Sequence, residues 1–156
     1  MPSTENQMLV TDLDETLLFH GHPVSAADLD TLHSLGNQGI LRTVATGRAW
    51  ASVKKVLPPD FPIDYLVFSS GAGVVDWKSG QLLLSHNLEA DQSRRAIEAF
   101  LEHDLDFMVH DPIPEARPFV FRRSGNHNAD FDARFAMHAQ YGTPFEPHHL
   151  HRPASQ

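Results

Sequence analysis

Cysteine is absent from the 156 residues, which excludes a disulfide framework and any thiolate metal site and suits a reducing cytoplasm. No stretch approaches the roughly 20 consecutive apolar residues that cross a bilayer. The opening MPSTENQ also lacks the basic start and apolar run of a secretory signal. A soluble, cytoplasmic protein with no membrane partner is the expectation. Positive charge is scarce: 12 Lys and Arg stand against 20 Asp and Glu, a formal net charge of -8. That balance disfavours binding along a phosphate backbone, so nucleic acid is not expected as a partner. Lysine occurs only at Lys54, Lys55 and Lys78. Histidine is plentiful, with three of 11 crowded into HHLHR at 148–152, which reads as a solvated terminus and not as a metal site held by a core.

What is present is a regular alternation of elements. Residues 7–12 read as a buried strand, and VSAADLDTLHSLGNQG at 24–39 as a helix with Ser25 as N-cap, Asp28 three residues on, and Leu29, Leu32 and Leu35 at helical spacing. ILRTVAT gives a strand ending at Thr46, RAWASVKKVL a helix closed by Pro58 and Pro59, and YLVFSS a third strand at 65–70. Strand, helix, strand, helix, strand is the pattern of a parallel sheet with right-handed crossovers, in which ligands sit beyond the carboxyl ends of the strands. Asp12, Thr46 and Ser69 or Ser70 all fall at such ends. A hairpin over GVVDWKSGQLLLSH turns near Ser79 and Gly80. A helix at 89–104, strands near 105–110 and 118–123, and a helix at 129–140 then suggest a second, α+β unit. The expected organisation is 1–85, 86–147 and a disordered tail at 148–156.

The run MLVTDLDETLLF places two carboxylates one residue apart where a strand ends. Burying an unpaired charge costs several kcal/mol, so the pair belongs where a cation or substrate compensates it. In phosphoryl transfer Asp12 would serve as nucleophile, and Asp14 would give a proton to the leaving oxygen and take one from water. Mg²⁺, hard and oxygen-seeking, would offset the repulsion between these acids and a phosphate. The Thr46 hydroxyl and nearby backbone N–H groups would hold the transferring oxygens. The plainer alternative is that the aspartates end a strand and make a turn.

These residues resemble a known family. MLVTDLDETLL is similar to the first motif of the haloacid dehalogenase-like phosphatases and RTVATGR to the second, while YLVFSSGAGVVDWKSGQLL resembles the segment that follows in the Cof-type branch. The resemblance spans roughly residues 7–145. It implies an α/β fold, a Rossmann-like three-layer parallel-sheet core with a partial α+β cap domain. It further implies a Mg²⁺ cofactor and a phosphoaspartyl intermediate, with a small phosphorylated metabolite such as a sugar phosphate as substrate. On it Asp12 is nucleophile and metal ligand, and Asp14 is general acid and base and lends its backbone carbonyl to the metal. Thr46, Gly47, Arg48 and Ser70 line the phosphate crevice, although Arg48 reads equally as a surface charge opening a helix.

The chain departs from the family's pattern after the second motif. The third motif's lysine and the fourth motif's acids, usually in a Gly-Asp context, have no counterpart: all lysines precede residue 79 and no Gly-Asp pair occurs. The expectation is a chain that ends inside the cap, with activity reduced by about 10²–10³ for each electrostatic partner lost. Unpaired strand edges would then promote self-association into a homo-oligomer. Two other readings compete: a non-catalytic phosphate-binding or interaction module, and a phosphoacceptor receiver domain, which would need an aspartate where Ser69 and Ser70 stand. Asp111, Glu115, Asp130 and Asp132 read as solvated acids, and Trp50, Phe61 and Trp77 as packing residues.

Overall fold

The computed structural model describes residues 7–19, 22–114 and 116–155. The chain divides into two units, Met1–Ser85 and His86–Gln156. In the first, the apolar run before the paired aspartates forms β1 (Met8–Asp12), followed by α1 (Ala26–Asn37), β2 (Leu41–Ala45), α2 (Trp50–Val53) and β3 (Tyr65–Phe68). The Ser25 hydroxyl oxygen accepts from the Asp28 N–H at 3.1 Å, the cap that the spacing predicts. The second helix is shorter than the ten residues predicted. Its start has no side-chain cap, and after one turn the chain meets Pro58 and Pro59.

β1, β2 and β3 pair in parallel; β4 (Gly73–Asp76) and β5 (Leu82–Ser85) continue the sheet antiparallel, in the order β1-β2-β3-β4-β5. The hairpin between the last two turns where Gly80 takes a φ of 70° and the Asp76 carboxylate accepts from the Ser79 N–H and hydroxyl. α1 and α2 lie over one face of the sheet, as right-handed crossovers stepping the same way require: Arg42 reaches α1 from it, and Trp50 of α2 lies 5.9 Å from the Phe68 ring. That face carries Val44, Leu66 and Val75 in register, with Phe68 beyond them, all fully buried. Arg42 projects from it, donating to the Leu32 carbonyl of α1 at 3.1 Å and gripping the Asp64 carboxylate at 2.8 and 3.0 Å. On the opposite face Met8 and Val10 are 50% and 57% exposed.

The second unit begins with α3 (Ala90–Glu102), whose start is closed by a reciprocal box between Glu89 and Gln92. β6 (Phe107–His110) and β7 (Phe119–Arg122) pair antiparallel, α4 (Ala129–His138) follows, and β8 (Gly142–Pro144) adds in parallel to β7. Nothing in the sequence pattern announces β8, which is short and contains both glycine and proline. It fits because Gly142 has no Cβ, which would stand 2.8 Å from the Phe119 ring. Ile97, Phe107, Val109 and Val120 form the core, with Leu101, Phe145 and Leu150 packed against it.

Ala154 belongs to the same core, which corrects the expectation of a disordered tail at 148–156: residues 148–155 are ordered. Pro147–His151 forms a 3₁₀ turn, Leu88 and Ala154 exchange backbone hydrogen bonds at 2.6 and 3.0 Å, and the Ser155 hydroxyl donates to the Asp111 carbonyl at 2.8 Å. Arg152 pairs with Asp111, an acid expected to be solvated. The polar composition that suggests disorder hides the small apolar side chain and backbone pairing that anchor the segment. Glu115 lies outside the described residues. Among the described residues no helix is long and apolar enough to cross a membrane.

Candidate active site

Parallel pairing sets Asp12 beside Ala45, and Ala45 beside Val67. The residues that follow these strands therefore leave the sheet at the same edge, beyond the carboxyl ends. Thr46 is buried there, and its N–H donates to the Val67 carbonyl at 2.9 Å. The Thr46 hydroxyl oxygen accepts from the Arg48 N–H at 3.1 Å, which leaves the hydroxyl proton free to donate elsewhere. The Ser70 N–H donates to the Thr46 carbonyl at 3.1 Å, and the Ser69 N–H to the Arg48 carbonyl at 2.9 Å. Ser69 and Ser70 both adopt positive φ, 49° and 54°, so β3 ends in a tight left-handed turn that directs its backbone towards Thr46. A Cβ on Gly47 would stand 3.5 Å from the Ser70 hydroxyl oxygen. The structure thus brings Thr46, Gly47, Arg48 and Ser70 into one laced loop pair.

Asp14 joins them through Arg48. The guanidinium donates from Nε to both carboxylate oxygens at 3.1 and 2.9 Å and from Nη2 at 2.6 Å, a fork that fixes the plane of the carboxylate. These hydrogen bonds hold the Asp14 carboxyl below its ordinary value, against a smaller opposing effect of burial. The same bonds raise Arg48. The side chain of Asp12 is exposed at the end of β1, and among the described residues no hydrogen bond engages its carboxylate. Leu13 and Leu17, both buried, turn the chain after Asp12: the Leu17 and Leu18 N–H groups both donate to the Leu13 carbonyl, at 3.0 and 2.8 Å.

A cavity of about 360 Å³ opens beside the fork and has Asp14 and Arg48 in its lining. Phe19, His22 and Val56 also line it, and nothing in the sequence pattern singles them out. Phe61 and Trp77 are buried packing residues, as expected, and Trp50 lies 5.9 Å from the Phe68 ring.

The model of the haloacid dehalogenase-like hydrolase family matches residues 9–133. The chain belongs to this family. This haloacid dehalogenase-like hydrolase is similar to the HMP-PP phosphatase of Yersinia enterocolitica, 37% identical over 65 residues that cover 42% of this chain and 24% of the relative. The corresponding protein of Yersinia pestis is 34% identical over 71 residues, 46% of this chain and 26% of the relative. Among solved structures, a superfamily phosphatase from Bacteroides thetaiotaomicron aligns with a TM-score of 0.69 and 23% identity, over 93% of this chain and 51% of that one. A subclass IIB sugar phosphatase aligns with a TM-score of 0.66 and 17% identity, over 95% and 56%. These likenesses show the fold, in keeping with the Cof-type resemblance of the sequence. The chain spans about half the length of the solved relatives it matches.

Proposed function

We propose that this haloacid dehalogenase-like hydrolase carries the nucleophile-bearing part of a Mg²⁺-dependent phosphatase acting on a small phosphorylated metabolite. The observation that carries the reading is the convergence of Asp12, the Asp14–Arg48 fork and Thr46 at the carboxyl ends of adjacent parallel strands. The relatives are named for HMP-PP and for sugar phosphate chemistry, and a small phosphorylated metabolite is the substrate class they share.

The donor set fits Mg²⁺. It would consist of oxygens alone: the Asp12 carboxylate, which has no competing partner among the described residues, and the Asp14 backbone carbonyl that the family resemblance assigns to the metal. When bound, Mg²⁺ would lower the repulsion between Asp12 and the phosphate. An Asp12 oxygen then bonds to phosphorus as the bond to the leaving oxygen breaks, and that oxygen takes its proton from Asp14, which must leave the Arg48 fork to carry one. Water next attacks the phosphorus of aspartyl phosphate and yields a proton to the Asp14 carboxylate, which restores the starting state. The Arg48 fork favours the ionised Asp14 that this second step needs. The Thr46 hydroxyl donates to a phosphate oxygen throughout.

The test is Mg²⁺-dependent release of phosphate from a small aryl phosphate by the 156-residue chain, beside Asp12→Asn. The expected result is turnover that disappears in the variant and with chelator. Equal rates in both proteins would overturn the reading for this chain.

A further inference from the structure

The two kinds of cation in this chain are treated differently by its acids. Seven arginines form ion pairs with Asp or Glu. Lys54, Lys55 and Lys78, the whole lysine complement, are exposed, and among the described residues no ion pair engages any of them, although acids outnumber bases by 20 to 12. They also fall in one neighbourhood. Lys54 and Lys55 directly follow α2, and the Lys54 Nζ lies 4.4 Å from the centre of the half-buried Trp50 ring. The turn of the β4–β5 hairpin reaches the same indole: a Cβ on Gly80 would stand 3.9 Å from the Trp50 ring, and Lys78 is in that turn. Asp76, the acid nearest to Lys78 in sequence, accepts instead from the Ser79 N–H and hydroxyl at 2.8 and 2.7 Å. Three like charges gathered on an otherwise acidic chain, none of them paired, form a patch complementary to an anion.

We propose that this patch docks an acidic peptide segment of a partner protein. An ammonium is a compact, strongly hydrated point charge, not the planar fork that holds one carboxylate or phosphate by two bonds. Ammonium groups spread over a helix end and a hairpin turn suit several carboxylates carried along one chain. Trp50, which both segments adjoin, adds the aromatic contact that commonly anchors a peptide side chain at an interface. A long polyanion is disfavoured, because beyond the patch it meets the acid excess of the chain, whereas a short acidic segment need touch no more than the patch. Neither Trp50 nor any lysine belongs to the phosphate crevice, so the docking surface is independent of the proposed chemistry.

The test is fluorescence anisotropy of a labelled oligoglutamate peptide titrated with the whole chain at low salt, beside an oligoglutamine of equal length and with inorganic polyphosphate as competitor. Two double variants separate the place of the charges from their sum. One is Lys54→Gln with Lys78→Gln; the other is Arg117→Gln with Arg134→Gln, exposed arginines of the second unit that make the same change in net charge. Oligoglutamate should bind and oligoglutamine should not. The lysine variant should bind about tenfold more weakly, while the arginine variant keeps the parent affinity. Absence of oligoglutamate binding, or an equal loss in both variants, overturns the proposal. Polyphosphate that displaces the label at a lower concentration of charge than unlabelled oligoglutamate assigns the patch to phosphate chains and overturns it as well. Each of these results leaves the phosphatase reading standing.

Discussion

The two faces of the β1–β5 sheet are made by the same strands and differ in what touches them. Beneath α1 and α2, Val44, Leu66, Phe68 and Val75 have lost all contact with water, each contributing about 1.5–3 kcal/mol by burial. On the reverse face Met8 and Val10 remain half in water, although a parallel sheet is ordinarily covered on both sides. The exposure belongs to the edge strand, since Thr43 of β2 on the same reverse face is buried, and the carboxyl ends of β1, β2 and β3 hold the candidate site. The covered face should therefore be intolerant of change and the open face permissive.

Phe68→Ala gives the largest expected effect, a loss of about 3–5 kcal/mol in urea denaturation, because the ring is fully buried. Next is Asp64→Asn, which breaks the charged fork holding Arg42 beneath α1 and should cost roughly 1.5–3 kcal/mol. Its pH dependence has a definite sign. Hydrogen bonds from Arg42 hold folded Asp64 below its ordinary 3.8, so its contribution is complete above that pH and is lost as pH falls through the lowered folded value. Asp64→Asn should accordingly flatten the acid limb of the stability curve, and an unchanged limb would contradict the ion pair. Gly73→Ala comes third, at about 1–3 kcal/mol, since its Cβ would stand 2.2 Å from the Phe68 ring. Val10→Ala should lie within about 0.5 kcal/mol of the parent. A Val10→Ala loss as large as that of Phe68→Ala would break the comparison, showing the open face to be sealed in solution.

The first unit was largely legible because its signals are local. Ser25 and Asp28 mark a helix start within four residues, and Asp12, Thr46 and Ser69 end apolar runs whose alternation with helices dictates parallel pairing. The Asp14–Arg48 fork was not legible: the partners are 34 positions apart, and alone Arg48 reads as a surface charge at a helix start. The left-handed turn at Ser69 and Ser70 was hidden too, because nothing but surrounding packing asks a serine to take positive φ. The closing segment was misread for a related reason. Its composition is polar, but Ala154 contributes by position and not by hydrophobicity.

β1 is the outermost strand of its sheet among the described residues, hydrogen-bonded to β2 and to nothing on its other side. Amides facing away from β2 should exchange with solvent rapidly, and the strand should open at lower free energy than β2 or β3. Asp12 stands at its end, so the side chain proposed to form a bond to phosphorus rides on a strand whose ladder hydrogen bonds come from β2 alone. Whatever pairs with that free edge would slow amide exchange along Met8–Asp12 and narrow the positional spread of the carboxylate in the same step, making the rigidity of the nucleophile a property that neighbouring backbone can set.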